Sequence, residues 1–154
     1  MPTRYLLLLA VLLAATVFGL LWNRRNGRFT AVGAQLDAAK GEETTPVRDR
    51  LDASDLGVDL GDRATLVQFS SAFCAPCRAT RQLLGDLVST QVGVSHVEID
   101  AESHLELVRR VGVLRTPTVL LLDESGRVVT RASGLPSREG VLAAITAIPS
   151  RVPE

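Results

Sequence analysis

Apolar and polar positions divide this chain unevenly. Residues 5–22 run for 18 positions without a charge and are mostly Leu, Ala and Val. Coiled as a helix, the run is about 27 Å long, close to the hydrocarbon thickness of a bilayer, and it shows no polar face. It reads as a membrane anchor over 1–23, with Trp22 at the interfacial end. A cleaved secretory signal competes with this reading, because Ala14-Ala15-Thr16 offers small residues. Against it, Phe18, Leu20, Leu21 and Trp22 carry the apolar run past them. A buried core helix of a soluble protein is the weaker third reading. From 24 to 50 the chain turns polar and mixed in charge, with only a weak apolar spacing from Phe29 to Leu36. That segment is expected to be a tether that lets the following domain work clear of the bilayer.

Beyond Leu51 the pattern changes to short alternating elements. Asp52 and Ser54 suit the cap of a short helical turn before Gly57. Residues 64–69 are apolar with branched side chains, which suits a strand buried on both faces. Residues 75–88 place Ala79, Leu83, Leu84, Leu87 and Val88 at helical spacing, with Pro76 tolerated in the first turn. A strand over 94–99 follows, then a short helix through Leu105, Leu107, Val108 and Val111. Residues 118–122 and 127–131 read as two strands joined by the turn Asp123-Glu124-Ser125-Gly126, a hairpin at an antiparallel edge. A last helix is expected over about 137–147, with Val141, Leu142, Ile145 and Ile148 toward the sheet. This order calls for a mixed sheet with helices on both faces, a domain over 51–149 and a short tail over 150–154.

Charge narrows the function classes. From residue 51 onward there are ten Arg and 13 acidic residues, so no basic stripe for nucleic acid is present in the sequence. Arg109 and Arg110 read as a solvated helix face. Around the apolar run, Arg4 precedes and Arg24, Arg25 and Arg28 follow, which favours a cytoplasmic domain by the positive-inside rule. Redox chemistry of the kind described next is compatible with the extracytoplasmic side as well.

The chain has two cysteines, Cys74 and Cys77, in Phe73-Cys74-Ala75-Pro76-Cys77-Arg78, between an expected strand and an expected helix. At this spacing a first helical turn brings two Cα atoms within disulfide range. The same turn leaves free N–H groups and a positive dipole end that would stabilise a thiolate at Cys74. Cys77, one turn further in, would be the resolving thiol, and Arg78 can also favour the thiolate. His96 and His104 are not placed beside Cys74 by sequence, so a zinc site lacks ligands. A cluster shared between two chains is a remote reading, and no cofactor or metal is expected.

Taken together, these segments resemble the thioredoxin superfamily over roughly 64–147. The likeness rests on Val67-Gln68-Phe69 leading into the Cys74–Cys77 motif, Val97-Glu98-Ile99-Asp100 as a later strand, Val111 to Thr118 containing Thr116-Pro117, and Gly126 and Gly134 near the end. The resemblance implies an α/β thioredoxin-like fold, here preceded by the one transmembrane helix read from the apolar run at 5–22. It also implies a cis bond at Thr116-Pro117 whose backbone meets an extended substrate segment, and thiol–disulfide exchange with disulfide or dithiol proteins and an electron donor or acceptor, the reductase direction being preferred. Three departures shape the site: the family's buried aspartate falls on Gln68, its tryptophan on Phe73, and its frequent glycine on Ala75. An amide cannot act as a base at Cys77; neither Glu98 nor Asp100 is established as a substitute. The competing function is a redox-inactive binding or scaffold module with a structural disulfide.

Overall fold

The computed structural model describes residues 2–25, 28–31 and 50–148. The linker residues 32–49 and the tail 150–154 lie outside the described residues. The first helix, α1 (Pro2–Arg25), is followed by a short strand, β1 (Phe29–Ala31). The described side chains of α1, Tyr5 and residues 7–21, are all exposed. Among the described residues, no helix is long and apolar enough to cross a membrane.

The folded part runs α2 (Ala53–Leu56), β2 (Ala64–Ser70), α3 (Ala75–Val88), β3 (Val94–Asp100), α4 (Leu105–Arg110), β4 (Thr118–Asp123), β5 (Val128–Ser133) and α5 (Arg138–Thr146). The strands form one sheet in the order β1-β5-β4-β2-β3. Only β2 and β3 pair in parallel; the other three neighbours are antiparallel. The mixed sheet expected from the pattern, and the thioredoxin-like α/β fold that the resemblance implied, are therefore present.

Strand alternation sorts the core into two layers. Val67, Phe69, Leu120 and Leu122 point to one face, with Leu56, Leu107 and Val111. Ala64, Leu66, Val119 and Leu121 point to the other, with Leu84 and Leu87 of α3 and Val141 and Ile145 of α5. On α3 the inward line is Cys77, Thr80, Leu84 and Leu87. Ala79, expected on that line, is exposed, because the buried stripe starts from Cys77 and steps by three or four residues from there.

Two further differences have physical causes. Residues 29–31, read as part of the polar tether, instead pair with β5, and Phe29 packs against the α3/α5 layer; burial of one aromatic ring and the ladder bonds outweigh the polar surroundings. Arg110 is not merely solvated, since it pairs with Asp55 and ties α4 to α2. At the β4–β5 turn the chain passes so close to Leu51 that a Cβ on Gly126 would lie 2.0 Å from the Leu51 carbonyl oxygen, and Gly126 has φ +81°, a conformation glycine adopts readily.

Candidate active site

One edge of the sheet gathers the chemistry. The register places Gln68 opposite Val119 and Glu98, so the end of β2 lies beside the start of β4. The chain leaving β2 runs into Cys74, and the chain entering β4 comes from Pro117. The topology thus brings two segments more than forty positions apart to a common edge.

Cys74 is the N-cap of α3, in an extended conformation, and Pro76 falls in the first turn, where its missing N–H is no loss. Cys74 and Cys77 form a disulfide with Cα atoms 5.2 Å apart. The Cys77 backbone N–H also donates to Cys74 Sγ over 3.1 Å, so a helix-terminal donor is aimed at the outer sulfur. The two residues differ in access: Cys74 is half-buried, whereas Cys77 is 2 % exposed. Phe73 is fully exposed at 100 %, and Ala75 and Arg78 are also exposed.

Beneath Cys77 lies a polar chain that joins β2, β3 and α3. Gln68, with no exposed surface, donates through Nε2 to the Cys77 carbonyl over 3.0 Å and to Ser70 Oγ over 2.7 Å. Ser70 Oγ in turn donates to Glu98 Oε1 over 2.6 Å. Arg81, one helical turn beyond Cys77, closes the chain by donating to both Glu98 oxygens. Gln68 Oε1 is buried and accepts no hydrogen bond among the described residues. Burial pushes the Glu98 carboxyl up, but hydrogen bonds from Arg81 and Ser70, with the Arg81 and His96 charges, hold it below the usual carboxylate range. Burial is the main cause that pushes the His96 imidazole down; the Glu98 charge opposes this and Arg81 adds to it.

The peptide bond Thr116-Pro117 is cis, as the resemblance implied. Pro117 is buried and Thr116 half-buried. Its loop is fastened to the cysteine loop by a hydroxyl contact of 2.9 Å between Ser71 and Thr116, and to β5 by the Gly134 N–H, which donates to the Pro117 carbonyl over 2.7 Å. A cleft of about 410 Å³ opens beside the disulfide, lined by Ser71, Cys74, Cys77, Arg78, Glu98 and Asp100 among others. His104 lies apart from the sulfurs, its ring Nδ1 3.0 Å from the Asp100 carbonyl. No cluster suited to a metal ion occurs among the described residues.

Sequence reasoning missed Ser70, Ser71 and Arg81. The signals were present: Ser70 shares a strand face with Gln68 at a spacing of two, and Arg81 follows Cys77 by four positions on one helix face. Glu98 was noticed on the neighbouring strand, but its link to the Cys77 carbonyl runs through Gln68, whose Nε2 donates to that carbonyl and, over 3.3 Å, to Glu98 Oε1.

The thioredoxin family model matches residues 53–147. The chain belongs to the thioredoxin family. Among curated proteins it is 25 % identical over 91 residues to thioredoxin domain-containing protein 2 of Mus musculus, covering 59 % of this chain and 18 % of that one. It is 29 % identical over 80 residues to a thioredoxin of Alicyclobacillus acidocaldarius, covering 51 % of this chain and 75 % of the relative. The chain thus spans less than a fifth of the mouse relative's length. Among solved structures, a mutant thioredoxin from Halobacterium salinarum superposes with a TM-score of 0.54 at 23 % identity, over 60 % of this chain and 80 % of that one, which shows the fold. The family and the Cys74–Cys77 disulfide support thiol–disulfide oxidoreductase chemistry in general.

Proposed function

We propose that this protein is a membrane-tethered thiol–disulfide oxidoreductase that reduces disulfides in protein substrates. The observation that carries the reading is the disulfide itself: one sulfur caps a helix and receives a backbone N–H, while the other is buried behind it. After reduction, the N-terminal N–H groups and helix dipole that face Cys74 favour its thiolate. The Cys74 thiolate attacks one sulfur of a substrate disulfide and expels the other as a thiolate, forming a mixed disulfide. Cys77, once deprotonated, attacks Cys74 Sγ, releases the second substrate sulfur as a thiolate, and restores the Cys74–Cys77 bond. Two electrons pass from protein to substrate, and a dithiol donor returns them.

Thr116 supplies backbone groups to an extended substrate segment in this reading, by strand-like pairing. Fully exposed Phe73 and Leu114, 100 % and 96 % accessible, offer apolar contacts to it. Membrane tethering rests on the all-round apolar run of α1, whose described side chains are exposed. The flanking arginines favour the cytoplasmic side.

Insulin-type disulfide reduction by the full chain tests the activity: the wild type turns over with a dithiol donor, and Cys74→Ser does not. Full turnover by that variant contradicts the reading. A membrane-impermeant thiol reagent applied to intact cells after mild reduction tests the side; labelling of Cys74 before lysis places the domain outside. A second reading, a scaffold with a structural disulfide, is favoured by the neutral, fully buried Gln68. It predicts an ordinary Cys74 thiol pKa and no turnover by the wild type.

A further inference from the structure

The chain enters the sheet at the end that carries the disulfide. Phe29 opens β1 and pairs with Ala132 of β5. Ala132 pairs with Val119 of β4, and Val119 with Gln68 of β2. These four residues form one row across the sheet. It is the row at the disulfide end, since Gln68 donates to the Cys77 carbonyl over 3.0 Å. The β4–β5 turn at Asp123–Gly126 lies at the opposite end, where Asp123 pairs with Ala64.

The connection from α1 is short. Arg25 ends α1 and Phe29 begins β1, so four peptide steps separate them and their Cα atoms lie within about 14 Å. From β1 to β2 is three strand spacings, about 14 Å. The end of α1 is therefore held within about 30 Å of Gln68. The mooring is packed as well as paired: Phe29 joins the α3/α5 layer, and a Cβ placed on Gly140 of α5 would sit 3.7 Å from its ring.

We infer that the disulfide works facing the bilayer, at the surface into which α1 inserts, and that its exchange partner is a dithiol or disulfide carried close to that surface by a membrane-embedded protein. This deepens the proposed function and rests on its membrane-anchor reading. Side chains exposed on every face of α1, apolar nearly throughout, call for lipid as their cover. A helix so covered, joined by four peptide steps to the disulfide-end row of β1, keeps that end of the domain nearer the bilayer than the β4–β5 turn. A partner disulfide on a freely diffusing protein would reach the opposite end of the domain more easily than the end that carries Cys74.

The test uses the full chain in phosphatidylcholine vesicles containing a headgroup-linked fluorescence quencher. One preparation carries a fluorophore on Cys74 in the Cys77→Ser variant. Another carries it at position 125 in the Cys74→Ser/Cys77→Ser/Ser125→Cys variant, at the far turn. The expected result is quenching at least twofold stronger at position 74, and loss of that difference when a long Gly/Ser segment is inserted between Arg25 and Asn26. Equal quenching, stronger quenching at position 125, or a difference that survives the insertion overturns the inference while leaving the anchor in place. Failure of the chain to float with the vesicles overturns the anchor reading and the inference together. In a second measurement, a short-tethered headgroup dithiol reduces the oxidised wild-type protein faster than it reduces the insertion variant; equal rates contradict a surface-held partner.

Discussion

Cys74 and Cys77 share one bond but belong to different regions of the molecule. Cys74 lies on an exposed rim, next to Phe73 and with a backbone N–H on its sulfur. Cys77 lies on a buried floor, its carbonyl held by Gln68, which is linked through Ser70 to Glu98 and Arg81. The rim has few internal partners and is free to meet another molecule; the floor is tied to three elements. In the proposed exchange, this difference in burial assigns attack on substrate to Cys74 and closure of the disulfide to Cys77.

The largest effect expected from breaking this contrast is on turnover. Cys74→Ser should lose all measurable disulfide reduction, whereas Cys77→Ser should still attack and then stall as a mixed disulfide that mass spectrometry detects. Adducts trapped on Cys77 in the Cys74→Ser protein would reverse the assignment. On the floor, Gln68→Ala removes the donor to the Cys77 carbonyl and should lower stability by about 1–3 kcal/mol in urea unfolding. On the rim, Phe73→Ala should leave stability within about 0.5 kcal/mol and raise KM for a protein disulfide by up to roughly tenfold. A stability loss at Phe73 as large as that at Gln68 would erase the distinction between rim and floor.

The smallest effect concerns acid. Because the folded Glu98 carboxyl lies below its usual range, its contribution is present above the unfolded carboxylate value and is lost as pH falls through the folded one. The depressed His96 imidazole adds to the same trend earlier, since the unfolded chain takes up a proton near the ordinary value of 6.5 before the folded one does. Stability should therefore decline as pH drops from neutrality. His96→Gln should flatten the upper part of that decline in urea titrations, and Glu98→Gln the lower part.

Much of the architecture was legible because each element carried its own period. The apolar runs at 64–69 and 118–122, the turn at Asp123–Gly126 and the amphipathic stretch at 75–88 give the strands, hairpin and helix directly. The Cys74–Cys77 pair needed only its spacing and its place before a helix. The cis bond at Thr116-Pro117 came from the family resemblance, since nothing local in the sequence distinguishes it. What stayed hidden depends on register. That Phe29 seats at the sheet edge is decided by partners about a hundred positions away. The Ser70–Glu98–Arg81 chain likewise requires β2, β3 and α3 to be assembled before its members meet.

Rate-resolved alkylation of the reduced wild-type protein at neutral pH, with the two positions read separately by mass spectrometry, tests the central claim most directly. The account predicts that Cys74 is modified at least tenfold faster than Cys77. Equal rates, or faster modification of Cys77, would contradict it.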